Sequence, residues 1–281
     1  MSRLKLYAHT RLPERAVSWL ESVRRRSYQG NPSTPAAHSR FMQLNEPGQS
    51  GLITMREGIQ FHTHSESFHS FQWFCWRSPE MVQEYDQFVS DCSGKSTLLD
   101  VGACHGVYSL TFLSLNSRGG AIAVEPSPAA REILEYNIAA NRLRDRIEIV
   151  SDAAGGNDGT MYAMPNWHHL EAKKNSRGAV AVSTRSIDAI CDEYACMPDL
   201  MKVDVEGFEL YVLQGARSVL SRRPVVYLEI HPQLTSKLGY DHTKCFDLMS
   251  QMDYEIAEVN GRPMTRKEFR QRHHTFFTVC R

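Results

Sequence analysis

Residues 97–106, TLLDVGACHG, restrict the fold of this chain more than any other stretch. Thr97, Leu98, Leu99 and Val101 supply the short apolar run of a buried parallel strand, with Asp100 at its end. Gly102 and Gly106 permit a tight turn and close backbone approach, and Val107, Leu110, Phe112 and Leu113 then follow a helical period. Strand, glycine turn and helix in that order make the opening unit of an α/β sheet. In such sheets a nucleotide-like ligand meets the carboxyl end of the strand, facing the free N–H groups of the new helix.

The alternation runs on from there. Apolar segments at 120–124, 147–150, 198–203 and 224–230 read as strands, with helical patterns at 128–139, 208–220 and between 231 and 252. A hairpin-like insertion with strands at 160–163 and 180–184, then a short helix at 187–194, follows the third of these strands. Segments 254–259 and 275–280 make the last two. This is the pattern of a doubly wound, mostly parallel sheet, closed by an antiparallel pair. Residues 1–94 show no such alternation and read as an extension, leaving 95–281 as the ligand-binding domain. Within the extension the pattern predicts a helix at 16–25 and a proline-rich loop at 30–51. It also predicts a hairpin at 52–62 turning at Glu57-Gly58, and a helix from Pro79 to about Asp91. The aromatic run of Phe68, Phe71, Trp73, Phe74 and Trp76 is either a lid over a substrate or a layer packed on the sheet.

Charge and cysteine content narrow the function class. Thirty-two basic side chains balance thirty-two acidic ones, so no global field draws the chain to nucleic acid or to an anionic membrane. The seven cysteines are odd in number and scattered without a C-x-x-C pair, which suggests neither a disulfide framework nor a zinc ribbon. The first residues lack the apolar core of a signal peptide, and no run approaches the length of a membrane span. A cytoplasmic protein without membrane or nucleic-acid partners is expected.

The acids at the strand ends indicate the ligand. A dinucleotide fingerprint would have glycine where Cys104 stands. A carboxylate such as Asp100 within ~5 Å of a phosphate charge costs roughly 3 kcal/mol at an effective dielectric of 20, which argues against pyrophosphate. The same carboxylate favours an ammonium, and S-adenosylmethionine carries one and has no phosphate. A charge-assisted hydrogen bond of that kind contributes about 1.5–3 kcal/mol. Glu125, ending the second strand, suits the two ribose hydroxyls, and Asp152, ending the third, suits the adenine amine. Each acid alone is more often a helix cap or a solvated turn residue; together with Gly102 and Gly106 they favour a nucleoside site.

A second cluster follows the fourth strand, where Lys202, Asp204, Glu206 and Gly207 precede a helix, and a third is Glu229-Ile230-His231. With the fourth strand between the first and fifth, neighbouring strand ends lie ~4.8 Å apart, so Asp100, Asp204 and His231 are expected to share one cleft. Methyl transfer to a hydroxyl needs a base, and His231 or Asp204 serves. Helix capping is the alternative for Asp204 and Glu206, and an exposed helical turn is the reading for Glu209. Asp204, Glu206, Glu229 and His231 also offer the donors of a divalent-metal site, but nothing in their spacing fixes a geometry and no metal is assigned. The histidines His62, His64, His69, His168 and His169 read as solvated loop residues.

LLDVGACHGVYSL, AVEPSP with the downstream NIAAN, AAGGNDGT and, most specifically, MKVDVEGFELYVLQGA together resemble the FkbM-type S-adenosylmethionine-dependent methyltransferases, a branch of the Rossmann-like methyltransferases. The resemblance runs over residues 98–231. It implies a seven-stranded sheet, a cofactor held at Asp100, Gly102, Glu125 and Asp152 beside the helix opened by Gly106, and O-methylation of a hydroxyl on a small molecule or glycan. The family usually carries Asn where this chain has Cys104. Two other readings stand beside it: an NAD(P)-dependent oxidoreductase, and a non-catalytic binding protein on a methyltransferase-like fold.

Overall fold

The computed structural model describes residues 51–156, 159–163, 170–171 and 180–281. The helix expected at 16–25, most of the proline-rich loop, and His168 and His169 lie outside the described residues.

The described chain opens with an antiparallel hairpin, β1 (Gly51–Arg56) and β2 (Ile59–Thr63), turning at Glu57-Gly58. Helix α1 (Ser65–Gln72) passes through a π-helical turn at Trp73–Arg77 into α2 (Pro79–Asp91). Pro79 in the first turn and Ser78, which accepts a hydrogen bond from the Met81 N–H, start α2 where the sequence predicts.

The central sheet is built from β3 (Thr97–Val101), β4 (Gly120–Val124), β5 (Ile147–Val150), β10 (Leu200–Val203), β11 (Val225–Ile230), β12 (Ile256–Glu258) and β13 (Phe276–Cys280). Its seven strands run in the order β12-β13-β11-β10-β3-β4-β5. The five from β11 to β5 are parallel, and β13 is antiparallel to both β11 and β12. The fold is the expected doubly wound, mostly parallel α/β sheet, preceded by the hairpin and helices of residues 51–91. Between β3 and β10 the chain order reverses, and in open α/β sheets the ligand crevice lies at that point. A second sheet, β6 (Ala153–Ala154), β7 (Gly159–Ala163), β8 (Leu170–Glu171) and β9 (Val180–Arg185), forms the insertion after β5.

Parallel strands buried on both faces need apolar side chains on both, and here they divide by parity. Leu99, Val101, Ile122, Val124, Met201 and Val203 pack toward α5 (Ile187–Glu193), α6 (Glu209–Gln214), α7 (Arg217–Leu220) and α9 (Thr243–Gln251). Leu98, Ala121, Ala123, Leu200 and Tyr227 pack toward α2, α3 (Val107–Leu115) and α4 (Pro128–Ala140). Phe68, Phe71 and Phe74 are buried in that second layer, so these aromatics cover the sheet.

One helix differs from expectation: residues 208–220 form two helices, α6 and α7, broken at Gly215-Ala216. A Cβ on Gly215 would lie 2.1 Å from the carbonyl oxygen of Gly155, so the chain here passes too close to the insertion for a larger residue. Short helices α8 (Pro232–Lys237) and α10 (Arg266–Arg270) complete the fold. Among the described residues no helix is long and apolar enough to cross a membrane.

Candidate active site

The glycine turn after β3 is built against its neighbours. Gly102 has φ +82°, and a Cβ there would fall 1.8 Å from the Asp204 carbonyl oxygen, so only glycine lets the end of β3 meet the end of β10 this closely. Gly106 has φ +86° at the N-cap of α3, where a Cβ would strike the Leu134 side chain at 2.5 Å. Between them Cys104 sits at φ 50°, a left-handed conformation that Asn adopts more readily than most side chains. Glu125 holds this turn from the end of β4. Its carboxylate accepts the Cys104 N–H at one oxygen and the Ser127 N–H at the other, both at 2.8 Å.

The crevice beside the turn is lined by Val101, Gly102, Cys104, Val124, Glu125, Pro126, Ala154, Asp204, Val205, Glu206 and Phe208. Among the described lining residues three are acids and none is basic, which suits a ligand with hydroxyls and a positive charge better than a phosphate. Its apolar walls suit an aromatic base or sugar face. The residues therefore fit a nucleoside that carries an ammonium.

The expected site residues separate into two groups. Gly102, Glu125 and Asp204 line the crevice. Asp100 lies beneath it, 1% exposed, its carboxylate accepting the backbone N–H and the hydroxyl of Ser109 at 3.1 and 2.7 Å. Burial pushes this carboxyl up to about 6 against the pull of Ser109 and Lys202. Gly106 supports the turn from the helix side. Asp152 stands at the insertion, bound to the Ser183 hydroxyl and to Arg185. Asp100 is thus separated from the Asp204–His231 pair that it was expected to join, because strand parity turns its side chain toward α3.

Asp204 and His231 do come together. His231 Nε2 lies 3.9 Å from Asp204, 3.5 Å from Glu206 and 3.5 Å from Glu229, while Nδ1 is 2.7 Å from Glu209. Glu209 was expected to be exposed, but it is fully buried. It accepts the Gly207 N–H as well and lies within hydrogen-bond distance of the Tyr240 hydroxyl. Burial opposes a charge on His231, yet Glu206, Glu209 and Glu229 outweigh it and raise the imidazole well above its ordinary range. Burial and the Glu229 carboxylate push Asp204 well up, against Lys202 and His231. Burial works to raise Glu229 too, but His231 and Lys202 hold it below the usual carboxylate range.

Sequence reasoning missed what lies behind this cluster. Lys202, fully buried, donates to Glu84 of α2 at 2.7 Å and sits 3.5 Å from Glu229, over the rings of Tyr108 and Phe277. Glu84 also accepts the Tyr108 hydroxyl at 2.6 Å. A lysine in the middle of the apolar strand LMKV is the available signal: it demands a buried counter-charge without saying where that charge is.

The Methyltransferase FkbM domain matches residues 100–256, more than half of the chain. This chain belongs to the FkbM methyltransferase family. The hexuronic acid methyltransferase AglP of Haloferax volcanii is 25% identical over 194 residues, covering 66% of this chain and 76% of that protein. The FkbM methyltransferase structure from Methylobacillus flagellatus KT has 20% identity and a TM-score of 0.44, covering 66% of this chain. This chain spans 43% of the length of that one. An O-methyltransferase from Bacillus cereus, in complex with S-adenosylhomocysteine, has 14% identity and a TM-score of 0.43, covering 72% of this chain and 81% of that one.

Proposed function

We propose that this FkbM-family methyltransferase transfers the methyl group of S-adenosylmethionine to a hydroxyl of a saccharide or another small molecule. The observation that carries the reading is the lining of the crevice: Glu125, Asp204 and Glu206 around a glycine turn, with no basic side chain among the described lining residues. Bound there, S-adenosylmethionine supplies an electrophilic methyl group on a sulfonium. Glu125, fixed to the turn at both oxygens, accepts the ribose hydroxyls; a carboxylate takes up to about four hydrogen bonds. Gly102 would leave room for the methionine end against the backbone, and Asp204 would hold its positive charge. Asp100 and Gly106 support the turn from beneath, and Asp152 with Arg185 braces the insertion at the adenine end.

Asp204 is the group that takes the acceptor proton. It lines the crevice and is 29% exposed, whereas His231 is 7% exposed and set behind it, held by Glu209. With S-adenosylmethionine bound, the acceptor oxygen would take the methyl group as the sulfonium leaves, and the Asp204 carboxylate would receive the hydroxyl proton. Most of the rate comes from holding the two reactants in line. The hexuronic acid acceptor named for the Haloferax relative favours a saccharide as the substrate class.

Titration calorimetry with S-adenosylhomocysteine tests the cofactor assignment. Glu125→Ala is expected to weaken binding about tenfold or more, the value of one charge-assisted hydrogen bond. Asp204→Asn is expected to lower transfer of labelled methyl to a saccharide panel by about 10²–10⁴-fold. Unchanged S-adenosylhomocysteine affinity in Glu125→Ala overturns the assignment.

A further inference from the structure

We propose that Cys191 and Cys196 form a reversible dithiol–disulfide pair at the end of α5, oxidised by a low-molecular-weight disulfide. Cys196 precedes β10, whereas the crevice lies beyond the far end of that strand, so the pair is independent of the methyl-transfer reading. In the sequence the two cysteines are five positions apart, a spacing that matches no thiol motif. The end of the helix brings them together. After the C-cap Tyr194, Ala195 takes a left-handed φ of 46°. The Cys196 N–H donates to the Cys191 carbonyl oxygen at 2.9 Å, and the Ala195 N–H donates to that of Asp192 at 3.3 Å. These are the two bonds of a Schellman cap, in which the side chain three before the C-cap meets the one two after it. Here those side chains are Cys191 and Cys196, so two thiols occupy a contact that apolar residues usually make.

The two thiols are hydrogen-bonded to each other and are unequal. Cys191 is buried and keeps its proton: the bond to Cys196, burial, and the carboxylates of Asp188 and Asp192 all push it above the ordinary thiol range. Cys196 is half-buried, and the same bond lowers it against burial and Asp199. An accessible thiol that ionises beside a protonated partner is suited to attack, and the partner to resolve. The other buried cysteines are inert by comparison. Burial pushes Cys75, Cys92 and Cys280 up to about 12 and raises Cys245 well above its usual value. Cys104 lies in the crevice, beyond the far end of β10.

The Cys196 thiolate attacks one sulfur of the small disulfide, whose S–S bond breaks to release the first thiolate and leave a mixed disulfide. Cys191 then loses its proton to solvent, and its sulfur attacks that of Cys196 and expels the second thiolate. The two cysteines give up two electrons, and the small disulfide is reduced to two thiols. The ring closed in this way runs only from Cys191 to Cys196. Short loops gain least from closure, so the bond remains open to reduction.

The test is equilibration of the full chain with glutathione and glutathione disulfide at a series of ratios. The samples are acid-quenched and alkylated, and their peptides are mapped by mass spectrometry, with circular dichroism as the check of folding. A Cys191–Cys196 disulfide is expected in the folded protein, growing with the share of glutathione disulfide and lost when excess glutathione is restored. In Cys191→Ser, Cys196 should be recovered as its mixed disulfide with glutathione; in Cys196→Ser, Cys191 should stay a free thiol. Absence of the linkage from folded wild-type protein at the most oxidising ratio overturns the proposal, whether or not the serine variants fold. So does a linkage that forms only after unfolding in urea.

Discussion

The Asp100 carboxyl is buried and is held by two hydrogen bonds from Ser109. Those bonds and Lys202 do not offset the loss of solvation, and its pKa rises from 3.8 to about 6. The folded protein therefore binds a proton between pH 4 and 6 that the unfolded chain has released. Stability falls as pH rises through that window: the penalty is absent below the unfolded pKa and complete above the folded one. A shift of this size corresponds to about 3 kcal/mol. Asp100→Asn removes the titration, so wild-type minus mutant stability from urea denaturation should fall by about that amount from pH 4 to 6.5. A pH-independent difference would show that Asp100 titrates normally. At this scale the sequence is a partial guide. It marks Asp100 as an acid at a strand end, but the partner that turns the side chain away from the ligand, Ser109, is specified by strand parity and helix placement. Glu209 escapes for a like reason: a first-turn helical glutamate reads as exposed, and its burial is set by His231 and Tyr240, 22 and 31 positions onward.

Helix α2 and strand β10 are joined by a charge pair between residues 118 positions apart. Lys202 and Glu84 are both out of water, and breaking a buried pair by removing one partner costs about 3–5 kcal/mol, because the other charge is left without compensation. Lys202→Met is expected to destabilise by that amount, stranding Glu84 and Glu229. Adding Glu84→Gln should restore part of the loss, with a coupling of more than about 1 kcal/mol in a double-mutant cycle read by denaturation. Additive effects would mean that the two side chains do not stabilise each other. The asparagines of NIAAN do comparable work between elements. Asn137, fully buried on α4, accepts the His64 N–H and donates to Ser67 and to the His105 carbonyl oxygen, and Asn141 bonds both backbone groups of His62. The helices and strands themselves were readable from apolar period and from proline and glycine punctuation. These ties between them were not, because a polar residue that docks a distant element has the same local signature as one facing water.

At the scale of the molecule, the family match begins at residue 100, yet one face of the sheet is covered by side chains from before it. Ile53, Phe61, Phe68, Phe71, Tyr85 and Phe88 share a core with Leu98, Leu110 and Leu134. The strand alternation was legible because every parallel strand is apolar on both faces. That the aromatic run supplies the second cover was not, since a lid and a packing layer have the same composition. Burial of each such side chain contributes about 1.5–3 kcal/mol, so this shared core is of the same order as the 5–15 kcal/mol by which a whole domain is ordinarily stable. The layer and the sheet should open together. Native-state hydrogen exchange tests this: amides of β2 and α2 are expected to join those of β3 and β10 on one global unfolding line as denaturant is added. A separate, lower-energy line for residues 59–91 would mean instead that the layer detaches by itself, and that Glu84 and the charges behind His231 are exposed to water before the sheet unfolds.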